Sequence, residues 1–347
     1  MKLPNFFGLD LSFRSAKLVQ INGNGDGRPL LSNIGQGEVD KPITALKDAN
    51  EKKLFADKIK VIKDSAGITT NKTVVSLPES TIFSKVISVP DLPEEQLEKV
   101  IFFEARNHLP VPPEEVQLDH IPIAIKTLDD GRKIQQILLI AAPKTLVNTY
   151  LEVFSMAGIE ILALETESLA SARTMTLAGE IKEGTLVVDF GAQGIAVSVL
   201  KGKNMVFSQS IATGSDDLTL AIAKDYNLDI RQAEQYKRTY GMLENQLEGR
   251  IAKSIMPMMQ IINNELNKTI NFIRINLADF APSEVVLTGD GSLLPGLPTY
   301  FSLNLGLPVR LFDPVSALNV STSVQTEISK FNSIGFNVAI GLALKSE

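Results

Sequence analysis

Apolar positions along the chain repeat one pattern twice. Phe6-Phe7-Gly8-Leu9-Asp10 runs through a short turn into Ala16-Lys17-Leu18-Val19-Gln20-Ile21, and Leu186-Val187-Val188-Asp189-Phe190-Gly191 runs into Ile195-Ala196-Val197-Ser198-Val199-Leu200. Each copy is an apolar strand ending in Asp, a turn, and a returning strand. The echo predicts two similar half-domains facing each other. Each half would offer one carboxylate and one turn of backbone N–H groups. A nucleotide with its phosphates and a Mg²⁺ suits such a cleft, because turn amides bind phosphate oxygens and hard carboxylate oxygens suit the metal. Either Asp taken alone is explained as a hairpin cap; the pairing favours the cleft.

Between and after these hairpins, the periodicity predicts further elements. A glycine- and asparagine-rich turn spans residues 22–27. A helix over Ala49–Ala66 places Leu54, Ile59 and Ile62 on one side and ends at Gly67. Strands follow at Thr73–Pro78 and Phe83–Val89. Pro90-Asp91-Leu92-Pro93-Glu94-Glu95 starts a helix with a core stripe of Leu97, Val100, Ile101 and Ala105, which breaks at Pro110. Strands at Val116–Ile125 and Arg132–Ala142 flank a turn at Asp129-Asp130-Gly131, before a helix at Thr145–Ala157 and a strand at Glu160–Leu164. Glu165–Leu177 reads as a connecting helix whose small residues suit close packing. Helices are predicted at Asp216–Tyr226, Ile230–Tyr240 and Ile251–Leu277, the last kinked near Pro257. A buried strand at Glu284–Leu287, a tight turn at Gly289-Asp290-Gly291 with a helix after it, and an apolar helix over Gly335–Leu344 complete the chain.

Composition narrows the function classes. With 347 residues the chain divides into more than one domain, and 44% hydrophobic with 21% charged residues is ordinary for a soluble globular protein. A net charge of −6 without a basic stripe argues against nucleic-acid binding. The absence of Cys excludes disulfides, thiolate catalysis and zinc–thiolate sites, and fits a reducing cytoplasm. His108 and His120 are the only imidazoles, at a helix end and in a strand, so Ser–His chemistry and a histidine metal site are disfavoured. No signal-peptide pattern opens the sequence, and the longest apolar runs are of strand length, so membrane contact is expected only through partners.

The middle of the chain carries a family resemblance. Leu77-Pro78-Glu79-Ser80, Val89-Pro90-Asp91-Leu92-Pro93-Glu94-Glu95-Gln96-Leu97, Phe103-Glu104-Ala105 and Leu109-Pro110-Val111-Pro112-Pro113-Glu114-Glu115-Val116 resemble the insertion subdomain of the type IV pilus assembly family PilM. That family is related to FtsA within the actin, Hsp70 and sugar-kinase superfamily, and the likeness extends over nearly the whole length. It implies an α/β, actin-like ATPase fold: two duplicated ribonuclease-H-like halves around a nucleotide cleft, with a small α+β insertion. The expected division is a first half at 1–82, an insertion at 83–164, a connecting helix at 165–180, a second half at 181–330, and a C-terminal helix at 331–347 packing back on the first half. FtsA proteins end in a linker and an amphipathic membrane helix; this sequence stops at Glu347 after its apolar helix, which favours the pilus branch.

The resemblance also implies site residues, with ATP and Mg²⁺ as cofactors. Asp10 would hold Mg²⁺ through water, the amides of Ser12, Phe13 and Arg14 would face the phosphates, and Lys17 follows on the next strand. The family usually has Gly where Ser12 stands and small hydroxyl residues in place of Phe13 and Arg14, so easy positive φ is lost there. Arg14 is either a phosphate partner or solvated. Asp189 would be the second metal-side carboxylate, with Gly191 and Gly194 letting the second turn approach phosphate. Gly214 and Ser215 precede a helix, which makes an anion site or a simple N-cap. Glu234 and Lys237 would take ribose and adenine by resemblance, whereas their spacing alone gives an exposed helical ion pair. Gly289, Asp290, Gly291 and Ser292 match the adenosine loop, with Asp290 replacing a Gly. Glu167 stands where relatives orient the attacking water, or caps its helix.

The function implied is a cytoplasmic, ATP-binding scaffold of the pilus inner-membrane platform, peripheral to the membrane through its partners. It would bind the cytoplasmic N-terminal peptide of a PilN-like protein, other platform proteins, and copies of itself; hydrolysis is expected to be weak or absent. An apolar face near Phe102, Phe103, Leu109 and Val111 is compatible with such a peptide, as it is with core packing. The alternatives are an FtsA-like division protein or other filament-forming actin homologue, and an active ATPase or sugar kinase. For the last, no dedicated Asp base or sugar-pocket motif is found.

Overall fold

The computed structural model describes residues 4–23, 28–128, 130–179, 181–276 and 281–346. Most of the turn expected at 22–27 lies outside these residues, as do Asp129, Leu277, Glu180 and the extreme ends of the chain.

In chain order the elements are β1 (Phe7–Leu11), β2 (Ser15–Asn22), β3 (Leu30–Glu38), α1 (Ala49–Ser65), β4 (Lys72–Leu77), β5 (Phe83–Pro90), α2 (Glu94–Ala105), β6 (Val116–Thr127), β7 (Lys133–Pro143), α3 (Lys144–Ala157), β8 (Glu160–Thr166) and α4 (Glu167–Ala178). The remainder comprises β9 (Thr185–Phe190), β10 (Ile195–Lys201), β11 (Asn204–Ile211), α5 (Ser215–Tyr226), α6 (Ile230–Tyr240), α7 (Arg250–Asn276), β12 (Glu284–Thr288), α8 (Leu297–Leu305), β13 (Val309–Leu311), β14 (Asn319–Val320), α9 (Thr322–Ile328) and α10 (Asn337–Ala343).

Two sheets share one topology. The first runs β14-β3-β2-β1-β4-β8 and the second β11-β10-β9-β12-β13. In each, three antiparallel strands continue into two parallel ones, with the Asp-ending strand (β1 or β9) at the junction. The sequence echo is therefore a duplication of a five-strand sheet, to which β14 adds a sixth strand in the first half, and the two-half α/β actin-like architecture is present.

A third sheet, β5-β7-β6, carries α2 on a small core of Ile87, Val89, Leu97, Ile101, Ile137 and Leu139. The resemblance places residues up to 164 in the insertion. By sheet membership, however, β8 is the edge of the first sheet, and Tyr150 and Phe154 of α3 lie in the same core as Phe55 and Ile59 of α1. One expected stripe is corrected. On α1 the buried residues are Phe55, Ala56, Ile59 and Ile62, while Leu54 is 63% exposed, because a helical face returns at three and four residues.

The final helix closes the first half from below. A side chain at Gly8 of β1 would strike the α10 backbone, and one at Gly341 of α10 would strike α4, so these contacts are backbone to backbone. Arg173 of α4 makes a bidentate pair with Glu165 and donates to the Gly341 carbonyl at 2.6 Å. Burial pushes the Glu165 carboxyl up, but the Arg173 guanidinium outweighs it and holds the group below its usual range.

Candidate functional site

The duplicated hairpins point their turns into one cavity of about 1160 Å³ between the halves. It is lined by Asp10, Ser12, Phe13, Arg14, Lys17, Glu167, Asp189, Gly191, Gly194, Ser215, Glu234, Lys237, Gly289, Asp290 and Gly291. Of the expected site residues, Gly214 and Ser292 are outside its wall. Both are buried, and the Ser292 hydroxyl donates to the Gly289 carbonyl at 2.6 Å. Neither His108 nor His120 lines this cavity.

Asp10 ends β1 and is 6% exposed. It accepts a hydrogen bond from Ser76 Oγ at 2.8 Å, and the same hydroxyl accepts from the Leu11 N–H. Burial pushes its carboxyl up, partly offset by Lys17. The turn Ser12–Ser15 closes without any residue at positive φ: the Ser12 N–H donates to the Ser15 carbonyl at 2.9 Å and the two hydroxyls lie 2.8 Å apart. The missing glycine is thus replaced by serine hydrogen bonding.

Asp189 is the matching acid of the second half. Among the described residues no donor is within hydrogen-bond reach of its carboxylate, and burial, followed by the charge of Asp10, pushes it to about 7. A buried carboxylate whose proton affinity is raised by a neighbouring carboxylate marks a natural place for a cation. No group of three or more acidic or imidazole side chains is arranged for a metal among the described residues. A pair of carboxylates does fit Mg²⁺ held largely by water and phosphate oxygens, since that ion dehydrates reluctantly.

The second turn uses its polar groups differently. Gly191 N–H bonds the Gly194 carbonyl, while the Gly191 and Ala192 carbonyls accept from Ser215 and Asp216 at the start of α5. The Gly214 N–H is taken by the Asp217 carboxylate at 2.8 Å. The opening amides of α5 are therefore engaged within the protein. The geometry is a helix cap, and the turn is bolted to α5.

Glu234 and Lys237 form the ion pair their spacing predicts, at 2.7 Å, but Lys237 is only 4% exposed. Its ammonium also donates to the Ser215 carbonyl and hydroxyl and to Thr219 Oγ1, so it secures α6 beneath the first turn of α5. The expected exposed pair is corrected to a buried Lys237 paired with a partly exposed Glu234, because α5 covers the lysine. Burial pushes Glu234 up, but hydrogen bonds from Lys237, Thr219 and Arg238 outweigh it and hold the carboxyl at about 2. Its half-exposed carboxylate remains on the cavity wall.

Glu167 is half-buried at the start of α4 and accepts from the Glu79 N–H at 3.0 Å. The Glu79 carboxylate in turn accepts from the Ser168 N–H at 3.3 Å. Burial dominates the upward shift of both carboxyls, with Asp10 next for Glu167. Glu79 is a site residue that sequence reasoning missed. Its one signal is a carboxylate directly after Pro78 at a strand end. Behind this pair, the buried Tyr150 hydroxyl has no hydrogen-bond partner among the described residues and is shifted upward by burial, then by Glu167 and Asp10.

On the insertion, Phe103 is 63% and Val111 39% exposed, whereas Phe102 is half-buried and Leu109 packs on the small core. Arg106 lies over both phenyl rings at 5.6 and 5.7 Å.

The sequence model described as type IV pilus assembly protein PilM matches residues 8–347. The chain belongs to the PilM family. A solved PilM–PilN type IV pilus biogenesis complex is similar at 28% identity and a TM-score of 0.84, covering 98% of each chain. EutJ, an ethanolamine utilization protein from Carboxydothermus hydrogenoformans, shares the fold at 16% identity and a TM-score of 0.51, over 99% of this chain and 90% of its own. Among curated relatives, the cell division protein FtsA of Enterococcus hirae is 23% identical over 90% of this chain and 79% of its own. This chain is therefore an actin-like protein of type IV pilus assembly.

Proposed function

We propose that the protein is an ATP-binding scaffold of the pilus inner-membrane platform, whose nucleotide state tunes its grip on the cytoplasmic N-terminal peptide of a PilN-like partner. The observation that carries the nucleotide reading is the pairing of Asp10 and Asp189 at equivalent strand ends, facing one cavity. Mg²⁺, when bound with the phosphates, would neutralise this acidic pair. Asp10 and Asp189 would hold it through water, while Glu234 offers acceptors for ribose hydroxyls and the two turns border the phosphate path. The similar PilM–PilN complex supports the choice of partner. The exposed Phe103 and Val111 give the insertion an apolar surface for it. We place the functional insertion at 83–143 and assign the rest of the expected insertion to the first half.

Glu167 is our candidate for orienting water in hydrolysis. One of its oxygens accepts from the Glu79 N–H, and burial, then the charge of Asp10, pushes its carboxyl up. Among the described residues no helix is long and apolar enough to cross a membrane.

The test is calorimetric titration with Mg²⁺–ATP, with and without a peptide copying the partner's N-terminus. Micromolar ATP binding that changes peptide affinity is expected, since linkage is reciprocal. Peptide binding without ATP binding would reduce the protein to a pure assembly scaffold. Failure of both would remove this reading.

A further inference from the structure

Lys17 is occupied. Its ammonium donates to Asp290 Oδ2 at 2.6 Å and to the Gly335 carbonyl at 2.8 Å, with the Phe336 ring centre 5.7 Å away. Lys17 belongs to β2 in the first half, Asp290 follows β12 of the second, and Gly335 opens the C-terminal segment that packs on the first half, so the Lys17–Asp290 contact joins the halves across the floor of the cleft. A looser contact of the same sign lies higher up, where Arg14 Nε stands 3.5 Å from Asp216 Oδ2 of α5. The two cations carried by the first hairpin are thus both met by carboxylates of the opposite half.

The floor contact is built in. Gly335 leaves the space in which the Asp290 carboxylate sits, and any side chain there would collide with it. Of the two partners, the Lys17 side chain is 6% exposed and that of Asp290 is 51% exposed, so the cavity meets mainly the carboxylate. A phosphate group and a carboxylate make the same kind of charge-assisted bond to an ammonium, and Asp290 with the Gly335 carbonyl already takes two of the three N–H donors of Lys17, so a phosphate competes with the carboxylate for this ammonium.

We propose that Asp290 occupies Lys17 in place of a phosphate, so that this residue sets the affinity of the cleft for polyphosphate ligands. The inference rests on the nucleotide reading above. An incoming phosphate chain competes with the carboxylate, which opposes it twice: by holding Lys17 and by its own charge. A nucleoside without phosphates does not enter this competition, so Asp290 discriminates by phosphate tail rather than by base.

The test uses the full chain as wild type, Asp290→Asn and Asp290→Glu. Each is titrated with Mg²⁺–ATP and with adenosine, and melted without ligand. The Asn variant is expected to bind Mg²⁺–ATP about ten-fold tighter, the scale of one charge-assisted contact. It should melt at lower temperature and bind adenosine unchanged, while the Glu variant behaves as wild type. A purely structural pair would lower stability without tightening ATP; that result, with wild type still binding ATP, overturns the inference and leaves the nucleotide reading intact. ATP binding by neither protein overturns both. If Asp290→Asn does not fold, Asp290→Ser is titrated in its place, with the same tightening of Mg²⁺–ATP expected and no change overturning the inference.

Discussion

The two hairpins have the same topology but different hydrogen bonding. In the first, Ser76 of β4 braces Asp10, and the serine-closed turn holds itself. In the second, Thr288 stands opposite Asp189 on β12, yet its hydroxyl turns away to the Ile334 carbonyl at 3.2 Å. Asp189 is left without a donor, and its turn spends its carbonyls on α5. Duplication therefore preserved backbone order while the side-chain contacts diverged. One acid became part of the frame and the other stayed available to a ligand.

The largest expected effect breaks the support of the second hairpin. Lys237 ties α6 to Ser215, and Ser215 ties α5 to the Gly191 carbonyl. Lys237→Ala leaves Glu234 and these oxygens without their shared cation and should destabilise the protein by about 3 kcal/mol, the usual cost of removing one partner of a buried pair. Urea unfolding measures this. A loss well under 1 kcal/mol would mean that the turn stands without α5 and α6, as the first turn stands without a helix.

Asp189→Asn sharpens the contrast between the acids. It should weaken Mg²⁺–ATP about 100-fold, a loss in the range of one charged ligand contact, while sparing the unliganded fold. Asp10→Asn, by contrast, should also disturb the Ser76 contact. The pH dependence follows from the upward shift of Asp189 to about 7. Between about pH 4 and 7 the folded protein retains a proton that the unfolded chain has lost, so stability falls as pH rises through that window. The Asn variant should lack this slope, and at pH 8 it should exceed wild type by roughly 2 to 4 kcal/mol. Parallel pH–stability curves for the two proteins would show that Asp189 is solvated and carries no such strain.

These differences also mark what the chain made legible. Both Asp-ending strands were readable because their apolar runs are short and unbroken, and most helices because their faces repeat at helical spacing. The third strand of the first sheet, Leu30–Glu38, was not: Gly35 and Gly37 interrupt it, since α1 packs so closely that side chains there would meet Ala66 and Ile62. Its counterpart Asn204–Ile211 carries Ser and Gln on inward and half-buried positions, which blurs alternation. The cleft acids were legible through the repeat, but their partners were not. Lys17 with Asp290, Glu79 with Glu167, and Lys237 with Ser215 join residues 273, 88 and 22 positions apart, beyond the reach of any local pattern.

The smallest effect concerns the missing glycine of the first turn. Ser12→Gly restores the family's usual residue but removes the hydroxyl that meets Ser15 and adds backbone freedom to the unfolded chain. It should cost about 0.5 to 1 kcal/mol of stability. Because the turn closes with no residue at positive φ, the substitution relieves no strain there. Mg²⁺–ATP affinity should therefore change less than about two-fold, well below one full hydrogen bond. A gain of ten-fold or more would show that the serine-closed turn holds its amides away from phosphate. The two hairpins would then differ in how readily their backbones reach a ligand, and the freedom of Asp189 would no longer be the main distinction between them.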